Sequence, residues 1–530
     1  MTPDYIVVGA GSAGCTVAAR LAEAGKRVVL LEAGRKDSNP MIHIPAGVGS
    51  LMYNAADNWL YESEPEGTSG DRAIPVPRGK VLGGSSSTNG MLYVRGNPAD
   101  YDGWAQAGCR GWSYDDVLPL FKRSEAYVQK GDAEYRGQSG PLKVEDYRTI
   151  LPLTHKFVEA AQQAGFDYTP DYNGAQQEGV SYSQMTRKGR FRGSTYRTYI
   201  TGLTADKRRN LEVISDAMVE KLLFDGKRCI GIAFKQHGLR RELKVTQEVI
   251  ISAGSINSPQ LLQLSGIGDP EHLTSIGVTP FHELPGVGEN LSEHYVVRLV
   301  ALMQNLISLN QLVRFPRLAL EVLKFAATGT GALTMGITSA MVFCRSRPEL
   351  AYPDLQLLFT PASYVFGKTL VLDKPPGMTV AICPTRPDSR GSVQAKSNDP
   401  SQAPAINFNF LSDPNDLKVL RTGFDHCRRI FAAPAFAEHY VSELRPGREV
   451  ESDEAFENFA RNEGVTLYHP VGTCKMGIDP RAVVDPELRV RGLQGLRVAD
   501  ASIMPSLTTG NTNAPTIMIG EKAADLLLGV

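Results

Sequence analysis

The sequence lacks any C-x-x-C pair. Its seven cysteines, Cys15, Cys109, Cys229, Cys344, Cys383, Cys427 and Cys474, stand singly and are odd in number. Neither a disulfide framework nor a zinc site follows from that spacing, and no metal is expected. An excess of either charge is missing too, with 56 Lys plus Arg against 57 Asp plus Glu. This balance excludes bulk attraction to nucleic acid or to an anionic membrane. No apolar run reaches the ~18 residues of a spanning helix. The first apolar run starts at Tyr5, which leaves no room for a secretory leader. Cytoplasmic residence is the expectation, with contact at the membrane periphery left open. There is no internal repeat and no low-complexity tract. What remains is a 530-residue chain, 42% hydrophobic and 21% charged, of ordinary globular composition and too long for one core.

The most informative stretch is Asp4 to Glu32, DYIVVGAGSAGCTVAARLAEAGKRVVLLE. Tyr5-Ile6-Val7-Val8 fits a buried parallel strand, and Gly9, Gly11 and Gly14 form a G-x-G-x-x-G array. A helical segment follows, Gly25 stops it, and a second strand ends in an acid. This is a complete βαβ dinucleotide-binding unit. The first glycine permits a tight turn, the second close approach to a pyrophosphate, and the third close helix packing, with the helix N-terminus facing the phosphate charge. Glu32 can accept from ribose hydroxyls and would repel a 2'-phosphate. The motif alone does not separate NAD from FAD.

Residues 35 to 77 lose periodicity, and a loop this long is usually functional or a cover. It runs into Arg78-Gly79-Lys80-Val81-Leu82-Gly83-Gly84-Ser85-Ser86-Ser87-Thr88-Asn89-Gly90, a second small-residue stretch able to lie against a cofactor. Helical spacing covers Asp115 to Glu125 and Leu153 to Ala164. Arg187 to Arg192, the densest positive run, reads as a solvated loop. Leu211–Ser215, Met218–Phe224, Cys229–Gln236 and Arg241–Ser252 alternate like antiparallel strands, and a helix follows from Pro259. Leu318 to Ala327 is amphipathic, its apolar face expected on a core, with contact to lipid or a partner as the second reading. Gln356–Thr360, Met378–Pro384, Ser392–Ala395 and Ile406–Phe410 read as strands of a separate sheet, and Leu417–Phe431 as a helix. Near the C-terminus, Tyr468-His469-Pro470-Val471-Gly472-Thr473 places a histidine among glycines, and Asn511-Thr512-Asn513-Ala514-Pro515-Thr516 opens a last helix. On residue type alone the two asparagines read as helix caps.

Taken together these stretches resemble the glucose-methanol-choline (GMC) oxidoreductase family of flavoproteins. RGKVLGGSSSTNG and GSINSPQLLQLSGIG resemble its two signatures, and LPGVGENL, YHPVGTCKMG and NTNAPTIMIGEKAADLL fall in the family's order. The resemblance implies an α/β chain, α+β overall. A Rossmann-like FAD-binding domain (residues 1–155, 211–300 and 465–530) would carry an inserted antiparallel-sheet substrate-binding domain (156–210 and 301–464). It implies that Gly11, Ser12, Ala13 and Gly14 hold the pyrophosphate, beside Gly9, and that Glu32, with Ala33, holds the adenosine ribose. Arg78, Gly83, Ser85, Asn89 and Gly90 would line the flavin, Val219 the adenine side, and Asp500, Ala501 and Thr516 the ribityl chain and ring. Thr88 stands where members with covalent flavin carry the linking histidine, so non-covalent FAD is expected.

His469 matches the family's catalytic histidine, and its partner falls on Asn513, with Asn511 as the second registration. An alcohol surrenders hydride only as its hydroxyl proton is removed, and imidazole takes that proton without unusual tuning. An asparagine amide can stabilise the developing alkoxide. The expected activity is oxidation of a primary alcohol to an aldehyde, with electrons passed to a quinone-type acceptor or O2. A dehydrogenase is slightly favoured, with Leu467 as bulk that hinders oxygen. Sugar or polyol oxidation and a non-redox hydroxynitrile lyase are the alternatives. Pocket residues are expected between Leu302 and Phe366, with Phe343, Phe359, Tyr364 and Phe366 among them. The oligomeric state is not legible.

Overall fold

Tyr5–Val8 is wholly buried, as a parallel strand covered on both faces must be. In the computed structural model, which describes residues 2–366 and 370–530, this strand is the middle of a five-stranded parallel sheet. The spatial order is Leu211–Ile214, Val28–Leu31, Tyr5–Val8, Glu248–Ile251 and Leu496–Val498. The helix Ser12–Glu23 packs against the C-terminal helix Asn513–Leu528, so the two ends of the chain share one layer. Their seam is fixed by Glu521, a fully buried carboxylate that accepts from Arg20 Nε and Nη2, each at 2.8 Å, from Arg123 Nε at 2.8 Å and from Tyr199 Oη at 2.7 Å.

The run from 211 to 252 is not one antiparallel ribbon. Ala217–Asp225, Arg228–Gln236 and Leu239–Lys244 pair antiparallel, but Leu211–Ile214 and Glu248–Ile251 join the parallel sheet. Four-residue strands are too short for alternation to reveal which sheet they enter.

The second large sheet is antiparallel, in the order Tyr440–Arg445, Tyr295–Met303, Gly377–Pro384, Leu355–Thr360, Ala340–Cys344 and Gly179–Tyr182. Cross-strand neighbours such as Leu299 and Val380 are fully buried, and truncating one such side chain costs about 2–5 kcal/mol. Helices Pro152–Gln163 and Pro414–Phe431 cover its back, where Phe157 stacks on Phe359 at 4.2 Å. Ser392–Gln394 and Ala405–Asn407 form a separate two-stranded ribbon instead of extending this sheet. Val465–Thr466 pairs with Tyr295–Val296, and this short ladder carries the chain into Tyr468-His469.

Two expectations are overturned by burial. The 187–192 run is no solvated loop: it forms a β-hairpin in which Arg187 and Arg192 are buried. Arg187 pairs with Glu145 at 2.8 Å, whereas Arg192 donates to the carbonyls of Ile42 and Asn89. The helix Arg317–Thr328 does not lay its apolar face on a core: Leu320, Val322 and Leu323 are exposed.

Candidate active site

All of the expected cofactor residues except Gly14 and Gly83 line one continuous cavity, which also takes in His469, Asn511 and Asn513. Gly14 serves packing, since a Cβ there would lie 1.9 Å from the Gly9 carbonyl oxygen. Gly83, at φ +92°, donates its amide to the Ala10 carbonyl at 2.8 Å and so holds the two small-residue stretches together. The helix Ser12–Glu23 has no side-chain cap at Gly11, which leaves its first amides available to an anion. Glu32 accepts from the amides of Ala10 and Gly34, each at 2.9 Å, and burial pushes its carboxyl up to about 7 against those bonds.

An extended dinucleotide fits this cavity. Gly11, Gly90 and Gly254 all line it, and a Cβ built on any of them would meet no protein atom within 4 Å. Three side-chain-free backbone faces therefore look into the same space, one from each cofactor-facing segment. Asp500, at the end of a parallel strand, accepts from the Gly254 amide at 2.8 Å and from Ser258 Oγ at 2.6 Å. It thereby joins the C-terminal segment to the helix Gly254–Leu264. The 35–77 loop acts as a cover, contributing Val48, Met52, Asn58 and Trp59 to the cavity wall.

His469 follows Tyr468, a non-glycine residue held at φ +70°. Such backbone costs about 1–3 kcal/mol and persists only where its surroundings over-determine it. Here Arg78 Nη1 donates to the Tyr468 carbonyl at 2.7 Å, and the Tyr468 amide donates to Thr466 Oγ1 at 2.9 Å. The buried Glu293 accepts at Oε1 from the amides of both His469, at 2.7 Å, and His294, at 2.8 Å. Its carboxyl is pushed up to about 8 by burial.

The two imidazoles meet with 2.9 Å between their Nδ1 atoms. One proton and one lone pair must fill that gap. His294 Nε2 lies 3.1 Å from the Thr385 carbonyl, which can only accept. Neutral His294 therefore carries its proton on Nε2 and accepts at Nδ1. His469 must donate from Nδ1, and its Nε2 keeps a lone pair facing the cavity. Asn511 Nδ2 donates to that nitrogen at 3.1 Å, while Asn511 Oδ1 takes a long, 3.5 Å bond from Gln356. From Gln356 to Thr385 every donor thus points the same way, an arrangement in which each bond polarises the next. Burial, then His294 and Arg78, holds the His469 imidazole well below its ordinary range, and burial pushes His294 down to about 4.

Asn513 lies elsewhere. Its carbonyl oxygen accepts from Ser12 Oγ at 2.7 Å, against the glycine-rich loop. The structure thus brings Asn511, the second registration, onto His469. His294 and Glu293 went unnoticed in the sequence, although they follow LPGVGENL within three residues. Phe343 and Phe359 sit in hydrophobic cores and not on the cavity wall, whereas Tyr364 and Leu467 do line it. The side chain of Phe366 lies outside the described residues.

A dinucleotide cradle that opens onto a buried neutral imidazole defines a cofactor-dependent oxidoreductase. The chain belongs to the GMC oxidoreductase family: that family's models match residues 3–296 and 387–520. It is 41% identical over 531 residues to an alcohol dehydrogenase [acceptor] of Pseudomonas putida, covering 99% of this chain and 95% of the relative. It is 42% identical over 540 residues to an oxygen-dependent choline dehydrogenase of Brucella ovis, covering 100% and 96%. Among solved structures, pyridoxine 4-oxidase from Mesorbium loti superposes with a TM-score of 0.90 at 28% identity over 100% of both chains. A formate oxidase variant from Aspergillus oryzae, studied for its FAD modification, gives 0.92 at 26% over 100% and 98%. The protein is an FAD-dependent oxidoreductase acting on CH–OH groups.

Proposed function

We propose that the protein oxidises a primary alcohol with an apolar body to the aldehyde, with His469 Nε2 as the base. FAD supplies the hydride acceptor when bound. The substrate hydroxyl donates its proton to Nε2, and the Asn511 amide turns from the imidazole to the substrate oxygen as negative charge grows there. A buried imidazole resists a positive charge in isolation, so proton uptake is favoured only while that oxygen is anionic beside it. Arg78, fixed on the Tyr468 carbonyl, adds positive potential. Asn513, bound to Ser12, keeps the C-terminal helix against the phosphate loop. The observation that carries this reading is the directed chain of hydrogen bonds, which leaves Nε2 as a lone-pair acceptor facing the cavity.

The cavity wall supports an apolar substrate. Leu92, Ile337, Leu358, Ala381 and Leu467 contribute to it, and Arg298 adds a cation. The carboxylates among the described lining residues are Glu32 and Asp500, both engaged by backbone amides on the cofactor side. A quaternary ammonium such as choline would find no acid to pair with. Thr88, which lines the cavity, supports non-covalent flavin, and Leu467 supports a quinone-type acceptor over O2. We also propose the division of the chain into a cofactor part (1–155, 211–300, 465–530) and a substrate part (156–210, 301–464), with the strand Tyr295–Met303 crossing between them. Anaerobic bleaching of the flavin by a panel of aliphatic, aromatic and sugar alcohols and choline tests the reading. Aliphatic or aromatic primary alcohols should bleach fastest; faster bleaching by choline or a sugar overturns the substrate class, and no bleaching by any alcohol overturns the redox role.

A further inference from the structure

The helix Arg317–Thr328 is turned inside out for a surface that meets only water. Its single acid, Glu321, is buried, taking Lys324 Nζ at 2.8 Å on one oxygen and the Ala332 amide at 2.6 Å on the other. Phe325 goes inward with it and meets Phe191 edge-on. Outward point Leu320 (58% exposed), Val322 (47%) and Leu323 (64%), and just ahead of the helix Phe315 is 87% exposed. Apart from the buried Glu321, which Lys324 partners, the charged groups on this element and just ahead of it are cationic. Arg314, Arg317 and Lys324 are exposed, and Arg190 holds the last turn through the Phe325 carbonyl at 2.8 Å.

The patch continues onto the antiparallel pair Tyr364–Phe366 and Leu370–Leu372, where Val365 and Val371 are 39% and 52% exposed. Arg314 Nη2 joins the two parts by donating to the Asp373 carbonyl at 2.9 Å. The same pair of strands borders the catalytic cavity: Tyr364 lines it, and the Leu370 side chain lies 3.9 Å from where a Cβ on Gly49 would stand, between the lining residues Val48 and Met52. An apolar surface with cations at its margin therefore lies where cavity-lining segments reach the exterior.

We propose that this face seats the protein on an anionic lipid bilayer, with the helix Arg317–Thr328 in the interfacial plane. Leu320, Leu323 and Phe315 would enter the acyl boundary while Arg314, Arg317 and Lys324 reach the headgroup phosphates, the charge and hydrophobicity pattern of an interfacial helix. Charge decides against a second copy as the occupant. Two-fold pairing would set these cations against their own equivalents, with no exposed acid on the helix to meet them. A near-neutral chain does not conflict with this, because the cations are local and act within a Debye length of the surface. The surface is separate from His469, so this proposal and the substrate assignment fail independently.

Flotation of the FAD-loaded protein with vesicles tests it. The protein should float with phosphatidylglycerol/phosphatidylcholine vesicles and much less with phosphatidylcholine alone, and added salt should weaken binding. Leu320→Gln/Leu323→Gln should lower vesicle affinity roughly tenfold or more. Arg317→Gln/Lys324→Gln should lower it roughly 25-fold at low salt, about fivefold per cation. Both variants should retain bound flavin and reduce a water-soluble dye at the parent rate. Absence of flotation by the parent protein overturns the proposal, as does undiminished flotation of the leucine variant. So does a parent dimer, seen by light scattering, that the leucine variant turns into a monomer.

Discussion

The directed chain of hydrogen bonds makes His294 a positioning residue whose loss can be sized. In His294→Leu the Nδ1 proton of His469 has no acceptor, and a buried donor left unsatisfied costs about 1–3 kcal/mol. The imidazole escapes that cost by moving its proton to Nε2, which removes the base. If the full cost passes to the barrier, hydride transfer slows by roughly 5- to 150-fold. The assay is anaerobic stopped-flow reduction of the bound flavin by saturating alcohol. A second readout separates positioning from general damage. The base must be neutral, so reduction is present above the pKa of His469 and is lost as pH falls through it. In the parent protein that limb lies below the ordinary imidazole value of 6.5, because burial, His294 and Arg78 all lower it. Removing His294 takes away one of these effects, so the limb should move to higher pH. His294→Asn, whose carbonyl can stand where Nδ1 stands, should recover part of the rate. A His294→Leu enzyme within about twofold of the parent rate, with its acid limb unmoved, would refute the tautomer argument.

Other expectations follow from contacts already described. Asn511→Ala should slow flavin reduction by roughly 10²-fold, the scale of one lost transition-state donor, whereas Asn513→Ala should mainly weaken FAD retention; the reverse pattern in stopped-flow and dialysis would restore the Asn513 registration. Glu521→Ala removes the buried acceptor shared by Arg20, Arg123 and Tyr199 at the seam between the terminal helices, while Glu23 and Asp525 still pair with the two arginines, and denaturant unfolding should show a loss of about 1–3 kcal/mol.

Much of the cofactor site was legible because each of its motifs is local: strand, glycine turn and helix start are consecutive from Tyr5 to Ser12. His469 was marked by its own motif. Its partners were not, because they are set by pairing across the chain. The ladder of Tyr295–Val296 with Val465–Thr466 delivers His294 to His469, and nothing within either segment announces it. Asn511 and Asn513 differ by two positions in a repeating N-T-N. Only the start of the helix at Asn513 decides which of them turns to Ser12 and which to the imidazole. The periodicity of Leu318–Ala327 likewise reveals that one face is apolar, not what that face meets. Arg192 shows the opposite failure, since charge density suggested solvent and the guanidinium is buried on backbone carbonyls.

The bond from Ser12 to Asn513 joins residues 501 apart in the chain, and that separation has a consequence in time. At a synthesis rate of about 5–20 residues per second, the phosphate loop is made roughly 25–100 s before the residues that close the flavin end exist. Glu521, which fastens the first helix to the last, comes later still. A nascent chain with the opening βαβ unit complete can offer FAD only half a seat, so cofactor loading waits for the segment from His469 to Thr516. Until Leu496–Val498 has emerged, the apolar strands of the parallel sheet stand without it at their edge, and that interval is when this sheet is most exposed to misassembly.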